Sequence, residues 1–494
     1  MELIDTLLAQ ASGVTCDSRL ATPGCIFVAV RGRSLDGNTY AADAVRHGAL
    51  AVVSDRPGSL PALAAPVVAV DDARRVLGEL AARFHRHPSR DLALVGVTGT
   101  NGKTTVTYML DHIFRQAGHP AGLIGTVCVK VGDRSFPSTL TTPDAASLQG
   151  YLAAMRDSGV THAAMEVSAQ GLEQGRVNAV RFACGVVTNI SPDHLDFHGD
   201  FAAYLAAKRS FPAILGPAAP LVVNTADPHC RAMAASAPAP AVACAVEAPA
   251  DVTARIASLT SLGSRFTLAF GHRPPAGCLP AGGHLAMELP LPGRHNVENA
   301  LLATTAALLQ GVAPQAAARA LATFGGVPRR FAVARLAGLT VVDDTALNPG
   351  SLDAVFRTLG AFRRRRLVVA FALRGRRGPA INAANAAILA RWWRKAPFAL
   401  IVTAGEGAVG PADAVAADEK SAFCEALDGA KIDYLFCETL AAAMDAAAAA
   451  AGPGDLLALL GAQGMDDGWR LLRRRLGDDA VAAPVAAEPA ARPV

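Results

Sequence analysis

Residues 96–110 read GVTGTNGKTTVTYML, and this stretch decides the central part of the fold. It continues a run of buried-strand residues, LALVGV (92–97), and its second half has the composition of a helix. A strand, a glycine turn and a helix in this order form a setting in which a loop binds phosphate. Main-chain N–H groups of residues 99–103 would surround an anion, while Lys103 adds charge and the Thr104 hydroxyl could bind Mg²⁺. A plain Gly-Asn turn between a strand and a helix is the alternative.

The bulk properties of the chain exclude several classes of protein. With 494 residues the chain is too long for one core, and its net charge of +4 gives no reason to expect a nucleic-acid partner. Nine cysteines without a CxxC pair favour a reducing compartment over disulfides or zinc. The first twelve residues lack a basic segment, and the Ala-rich stretch 440–461 is interrupted by acids and a proline. We therefore expect a cytoplasmic protein that neither carries a signal peptide nor spans a membrane.

Short apolar runs alternate with Ala-rich helical stretches, which predicts an α/β protein built on parallel sheets. Three strands are expected early, in CIFVAV, AVVSD and VVAVDD, whereas the alternating segment 252–270 predicts antiparallel strands. The polar stretch FHRHPSRD suggests a first boundary, and a third unit is expected to begin near FGGVPRRF. These signals predict domains at 1–88, 89–326 and 327–480, followed by a disordered Ala/Pro-rich tail at 481–494.

The loop spelling TGTNGKTT (98–105) resembles that of the Mur ligases, which are ATP-dependent enzymes that add amino acids to a cell-wall precursor. Further stretches resemble motifs of the same family in the same order, namely 16–55, TLTTPDA (139–145), MEVSAQGLEQGRV (165–177), 188–211 and GRHNVENALLA (293–303). The chain is most similar to the third-step enzymes, the UDP-N-acetylmuramoyl-tripeptide synthetases. The resemblance implies an N-terminal UDP-substrate-binding domain, a central P-loop-type ATPase domain and a Rossmann-like C-terminal domain that binds the amino acid.

The resemblance also implies roles for individual residues. The residues matching catalytic positions are Lys103, Glu166, His194, Lys208 and Asp344. Mg²⁺ would be held by Thr104, Glu166, His194 and Lys208, the last as a carbamate. ATP would be bound by Gly99, Thr100, Asn101, Gly102, Lys103, Thr104, Thr105, Asn296, Arg330 and Asp344, with Asn224 and Asp227 on the adenosine side. The acceptor would be bound by Ser18, Arg19, Thr141, Thr142, Pro143, Asp144, Ser168, Gln174 and Arg176.

Each of these residues has a plainer interpretation when it is taken alone. Glu166 could be a helix cap or a surface acid, His194 part of a polar turn, and Lys208 a lysine on a helix surface. Ser18–Arg19 and the 141–144 segment could both be charge-balanced surface turns. The arginines of FRRRRL and LRGRRG could meet a carboxylate-rich substrate, although a solvated basic face is the more common explanation for such runs.

The sequence departs from the family pattern where the amino acid should bind. Ala169 and Gln170 replace the serine and histidine of EVSSH, and Leu347 stands where a histidine is expected. The DNPR-type box is absent near 401–414, which argues against meso-diaminopimelate, and the closing GKGHE-type motif reads GAQGMDD. The leading hypothesis is nevertheless an ADP-forming amide ligase that extends a UDP-N-acetylmuramoyl-dipeptide.

Two other functions stay open at this stage. One is a related enzyme that joins a different acid and amine, and the other is a nucleotide-binding subunit without activity. A switch GTPase is disfavoured because no NKxD-type guanine box is present. The expected partners are ATP, Mg²⁺ and small-molecule substrates, and the expected state is a monomer.

Overall fold

The computed structural model describes residues 2–32, 35–272 and 279–477, which fold into three successive α/β units. Each unit is built on its own sheet, of four, eleven and six strands. The tail predicted to be disordered, 481–494, lies outside the described residues. None of the helices within them is long and apolar enough to cross a bilayer.

The first unit is a small parallel sheet in the order β1-β2-β3-β4. Its strands are β1 (Gly13–Thr15), β2 (Cys25–Ala29), β3 (Ala51–Ser54) and β4 (Val67–Ala69). Its helices are α1 (Glu2–Gln10), α2 (Ala41–Arg46) and α3 (Ala73–Phe84). The strands predicted from CIFVAV, AVVSD and VVAVDD are confirmed as β2, β3 and β4.

The second unit is an eleven-stranded sheet with β5 near its middle, in the order β15-β14-β13-β12-β11-β10-β5-β9-β6-β7-β8. Its strands are β5 (Ala93–Thr98), β6 (Ala121–Ile124), β7 (Cys128–Val131), β8 (Arg134–Pro137), β9 (His162–Glu166), β10 (Cys184–Val187), β11 (Leu221–Asn224), β12 (Ala241–Val246), β13 (Val252–Thr260), β14 (Gly263–Phe270) and β15 (His284–Leu289). Strands β13, β14 and β15 are antiparallel neighbours, which confirms the prediction for 252–270.

Helices cover both faces of this sheet, and two apolar clusters fill the space between them. The helices are α4 (Lys103–Gln116), α5 (Ala145–Asp157), α6 (Ala169–Glu173), α7 (Leu195–His198), α8 (Phe201–Arg209), α9 (Phe211–Ile214), α10 (Pro228–Ala235), α11 (Arg294–Leu309) and α12 (Pro314–Ala322). The central strand β5 is almost wholly buried, as expected for a parallel strand covered on both faces. Apolar residues therefore follow one another along β5 without alternating with polar ones.

The third unit is a six-stranded sheet in the order β16-β17-β21-β18-β19-β20, parallel except for β16. Its strands are β16 (Ala332–Leu336), β17 (Leu339–Asp344), β18 (Leu367–Ala372), β19 (Ala399–Glu406), β20 (Leu435–Thr439) and β21 (Leu456–Leu460). Its helices are α13 (Pro349–Leu359), α14 (Pro379–Lys395), α15 (Ala417–Gly429), α16 (Leu440–Ala450) and α17 (Gly468–Leu476). Ligands of open α/β sheets gather at the carboxyl ends of the strands, and those ends of β17, β18 and β21 face the second unit.

Candidate active site

The loop between β5 and α4 takes a conformation that only glycine allows at two positions. Gly99 and Gly102 have φ angles of +144° and +87°. A Cβ atom at Gly99 would lie 1.9 Å from the Thr188 hydroxyl oxygen, so the neighbouring strand end passes directly against the loop. The helix α4 begins at Lys103, which places the unpaired first-turn N–H groups of that helix at the loop.

The expectation that every N–H group of residues 99–103 faces an anion is wrong for two of them. The Thr100 N–H donates to the Asn189 carbonyl at 2.7 Å, and the Asn101 N–H donates to the Asn189 side chain at 3.0 Å. Asn189 follows β10, so these bonds fasten the loop to the neighbouring strand end. The anion-binding capacity of the loop therefore rests on its C-terminal part and on the N-terminus of α4.

Two lysines, the half-buried Lys103 and the buried Lys208, share one acceptor beneath this loop. Lys103 and Lys208 both donate from Nζ to the Gly99 carbonyl, at 3.0 and 2.7 Å. Lys208 is 1% exposed, so it is not a lysine on a helix surface. Burial lowers the pKa of Lys103, and burial together with the charge of Lys103 lowers the pKa of Lys208 well below its usual value. Burial and a neighbouring positive charge both disfavour the charged form of Lys208, so its amine loses a proton far more readily than an ordinary lysine.

Glu166 closes the opposite side of the loop and is fully buried at the end of β9. Its Oε2 accepts hydrogen bonds from the hydroxyls of Thr104, at 3.0 Å, and Thr126, at 3.1 Å. Its Oε1 accepts from the Thr126 main-chain N–H at 2.8 Å. Glu166 is therefore neither a helix cap nor a surface acid.

His194 lies across the loop in a left-handed backbone conformation, with φ +53°. Its Nδ1 is buried, and none of the residues that the structure describes offers it a hydrogen-bond partner. Burial lowers the pKa of His194 to about 3, with smaller effects of opposite sign from Asp193 and Arg374. A neutral imidazole with a free buried nitrogen is what a metal ligand requires.

These donors fit the magnesium ion that the family resemblance implies. A hydroxyl, a carboxylate and a neutral imidazole, from Thr104, Glu166 and His194, all line the cleft, and the first two are hydrogen-bonded to each other at 3.0 Å. Within the described part of the chain no group of three or more His, Cys, Asp or Glu side chains is arranged to hold a metal. A site with few protein ligands suits Mg²⁺, which keeps several waters and binds substrate phosphates.

A single cleft of about 830 Å³ collects most of the predicted residues. It is lined by Thr100, Asn101, Gly102, Lys103, Thr104, Thr105, Glu166, His194, Lys208, Asn224, Asn296, Arg330 and Asp344. Asp227 lies outside the lining; its carboxylate caps α10 and accepts from the Ile190 N–H, which is a structural use. Asn296 donates to the Pro292 carbonyl at 2.8 Å, so its amide is engaged within its own helix start.

The residues predicted to bind the acceptor divide between the cleft and its surroundings. Thr141, Thr142, Ser168 and Arg176 line the cleft, and Arg176 donates to the Thr142 carbonyl at 2.6 Å. Asp144 caps α5, and Gln174 accepts from the Arg176 guanidinium. Pro143 lies next to the cleft-lining Thr142 but outside the lining itself.

Ser18 and Arg19 lie apart from this cleft, on a short helical turn of the first unit. Arg19 is exposed and forms an ion pair with Asp17 at 2.6 Å. The Sγ atom of Cys16, at the start of the same segment, lies 3.8 Å from an Asp144 oxygen, so the segment adjoins the start of α5.

Several residues in and beside the cleft make contacts that the sequence did not single out. Asn348, at the start of α13, exchanges two hydrogen bonds with Asn101, at 3.0 and 3.2 Å, and donates to Asp193 at 3.3 Å. Arg374 donates to Asp193 at 3.3 Å, and Tyr204 bonds the Thr100 hydroxyl at 2.9 Å. The contacts of Asn348 and Arg374 join the third unit to the second, so only a folded structure reveals them.

The departures from the family pattern also face the cleft. Ala169, Gln170 and Leu347 all line it, so the two missing imidazoles change the chemistry of its walls. Of the arginine-rich stretches, LRGRRG contributes Arg374 and Arg377 to the cleft. FRRRRL does not reach it, and its Arg365 and Arg366 bond the buried Asp455 instead.

Three family models match the chain in sequence order. "Mur ligase family, catalytic domain" matches residues 10–85, "Mur ligase middle domain" matches 97–307, and "Mur ligase, glutamate ligase domain" matches 329–463. The chain belongs to the Mur ligase family. This finding confirms the resemblance seen in the motifs and the three-domain α/β architecture expected from it.

Curated relatives and a solved structure are similar to this Mur ligase over most of its length. A UDP-N-acetylmuramoyl-L-alanyl-D-glutamate–2,6-diaminopimelate ligase of Geobacillus thermodenitrificans is 39% identical over 368 residues, 73% of each chain. The ligase of that name from Streptomyces coelicolor is 35% identical over 92% of this chain and 88% of its own. A solved structure of such a ligase covers 94% of this chain and 95% of its own, with 25% identity and a TM-score of 0.65.

Proposed function

We propose that this Mur ligase joins an amino acid to a UDP-N-acetylmuramoyl-dipeptide, forming an amide at the expense of ATP. The observation that carries the proposal is the single cleft that a phosphate loop, two lysines, Glu166 and His194 share with arginines of the third unit. Curated relatives named as ligases for this dipeptide support the choice of acceptor. Cytoplasmic location and a monomeric state remain expectations from the sequence.

The reaction follows from what a carboxylate needs before an amine can displace one of its oxygens. A carboxylate oxygen of the acceptor bonds to the γ-phosphorus of ATP as the bond to the β,γ-bridging oxygen breaks, and ADP leaves with the electron pair. The amine then attacks the acyl carbon, phosphate departs with its bonding electrons, and the nitrogen loses a proton. Phosphoryl transfer of this kind depends on alignment and charge neutralisation more than on covalent help.

The residues of the cleft supply that alignment and charge. Lys103 and the N-terminus of α4 bind the phosphates, and Lys208 sits beside them beneath Gly99. Thr104, Glu166 and His194 would hold Mg²⁺, which when bound neutralises charge on the phosphate oxygens. Arg330 and Asp344 would bind nucleotide from the third-unit side, and Thr142, Ser168 and Arg176 would orient the acceptor.

A second acid or amine remains a candidate because Gln170 and Leu347 line the cleft where the family pattern has imidazoles. Both functions are tested by incubating the purified protein with ATP, UDP-N-acetylmuramoyl-dipeptide and a mixture of amino acids, followed by mass spectrometry of the products. A new amide on the UDP-linked dipeptide is the expected result, and its mass identifies the amino acid added. Absence of product and of phosphate release, with activity on simple amino-dicarboxylates instead, would favour the second candidate.

A further inference from the structure

The loop between β18 and α14, residues 373–378, is held by hydrogen bonds and close packing in a form that places an arginine in the wall of the cleft. Glu419 is buried and accepts hydrogen bonds from the main-chain N–H groups of Arg376, at 3.0 Å, and of Arg377 and Gly378, both at 2.6 Å. Asn382 donates to the Arg374 carbonyl at 3.0 Å. A Cβ atom at Gly375 would lie 2.3 Å from the Asp413 carbonyl oxygen, so the loop is also packed tightly from outside.

Arg374 itself is 7% exposed and lines the same cleft as Lys103. Its Nη1 donates to Asp193, next to the candidate metal ligand His194, and its Nε has no hydrogen-bond partner among the described residues. Asp193 also accepts a hydrogen bond from Asn348, which exchanges two more with Asn101 of the phosphate loop. The guanidinium is therefore joined to that loop through hydrogen-bonded side chains. No other arginine of this loop is comparably buried, because Arg377 is half-buried and Arg376 is exposed.

We propose that Arg374 is a catalytic arginine, supplied by the third domain, that neutralises the phosphoryl group during its transfer from ATP to the acceptor. The proposal rests on the proposed function and adds to it a residue and a step. In the structure Asp193 accepts a hydrogen bond from one nitrogen of the guanidinium, Nη1. As negative charge spreads over the oxygens of the phosphoryl group during its transfer, those oxygens accept hydrogen bonds from the guanidinium N–H groups that Asp193 does not engage, including Nε. An arginine in this position accelerates phosphoryl transfer by about 10³–10⁵ in enzymes that use one.

A role in binding the carboxylate of the incoming amino acid is the main alternative for this side chain. The two roles separate in their kinetics. A charge that acts during phosphoryl transfer changes kcat with little effect on the KM for amino acid, whereas a ground-state carboxylate contact raises that KM and leaves kcat unchanged.

The test compares Arg374→Gln and Arg374→Gly with Arg376→Gln, a matched control that removes the same charge from an exposed position of the same loop. We expect kcat for product formation to fall at least 100-fold in both Arg374 variants, and added guanidinium to restore part of it in Arg374→Gly. The kcat of Arg376→Gln should stay within about threefold of the parent value. A kcat within threefold of the parent in Arg374→Gln, or a raised KM for amino acid alone, would overturn the proposal.

A binding measurement needs neither acceptor nor amine and therefore separates this proposal from the proposed function. The parent should bind Mg²⁺, ADP and fluoroaluminate, a mimic of the transferring phosphoryl group, more tightly than Mg²⁺ and ADP. Arg374→Gln should lose at least tenfold of that gain while its affinity for ADP, which also reports folding, stays unchanged. The double variant Arg374→Gln with Asp193→Asn avoids leaving a buried carboxylate unpaired, should the single variant fold poorly. An unchanged gain in either variant refutes the proposal even if the parent makes no product with the dipeptide.

Discussion

Replacement of Lys103 by methionine separates a phosphate-binding role from a structural one. Lys103 is half-buried, and its loss of contact with water lowers its pKa, so carrying its positive charge at neutral pH costs the folded protein stability. That cost disappears only as the pH rises past the usual lysine pKa. Methionine fills nearly the same space without the charge, so we expect the nucleotide-free variant to be at least as stable as the parent.

Nucleotide should stabilise the folded state of this variant much less than that of the parent. A ligand at 100 times its Kd stabilises the folded state by about 2.7 kcal/mol, which raises the Tm of a domain of 150–250 residues by about 5–10 °C. A hydrogen bond from a charged donor contributes about 1.5–3 kcal/mol, so its loss weakens binding by up to about 100-fold. At the same ATP concentration the stabilisation then falls to about 0.4 kcal/mol, or about 1 °C.

Thermal denaturation with and without Mg²⁺-ATP, together with a phosphate-release assay, provides the measurement. Lys395→Met serves as the control because it removes a lysine charge from an exposed position on α14. A full nucleotide-dependent rise in Tm in Lys103→Met, or phosphate release near the parent rate, would refute the assignment of the loop. A large loss of stability without nucleotide would show that Lys103 serves the fold.

Three further predictions concern two other cleft residues, Lys208 and Asp344, and the neighbouring Asn348. Lys208→Met should abolish activity. The lowered pKa of Lys208 leaves an amine able to form a carbamate, so bicarbonate should stimulate the parent after CO₂-free preparation but not this variant. Mass spectrometry under native conditions detects the adduct. Burial raises the pKa of Asp344 to about 6, so its ionisation destabilises the folded state above that pH. Asp344→Asn should therefore raise the free energy of unfolding there by at most about 3 kcal/mol, and this gain should vanish near pH 4. Activity of the parent should fall below pH 6, which a pH profile of the reaction rate measures. Asn348→Asp places a carboxylate beside Asp193, so small-angle scattering with ATP analogue should show a more open molecule than the parent or the helix-cap control Ser351→Ala.

Much of the fold follows from local sequence signals. The strand–glycine–helix order at 96–110 and the alternation of apolar strands with Ala-rich helices predict parallel sheets. Three sheets are found, of which the first is wholly parallel and the other two combine parallel strands with antiparallel ones at their edges. The antiparallel strands β13 and β14 follow from alternating hydrophobicity within 252–270. These signals depend on neighbours in the chain, and a sequence displays them directly.

The cleft was predictable only in part. Lys103, Thr104 and Glu166 stand in recognisable motifs, and the structure brings them together. The engagement of the Thr100 and Asn101 N–H groups by Asn189, and of Arg374 by Asp193, joins segments about 90 and 180 residues apart. Such contacts depend on how the sheets are arranged in space. For the same reason an arginine run could not reveal which of its members is buried in the cleft and which are exposed.

The central claim is that this cleft uses ATP to phosphorylate a carboxylate before an amine attacks it. The most direct test uses acceptor dipeptide labelled with ¹⁸O in the reacting carboxylate, followed by mass spectrometry of the phosphate released during turnover. The account predicts one ¹⁸O atom in each phosphate, because the transferred oxygen leaves with phosphorus. Unlabelled phosphate, or label recovered in AMP, would contradict it.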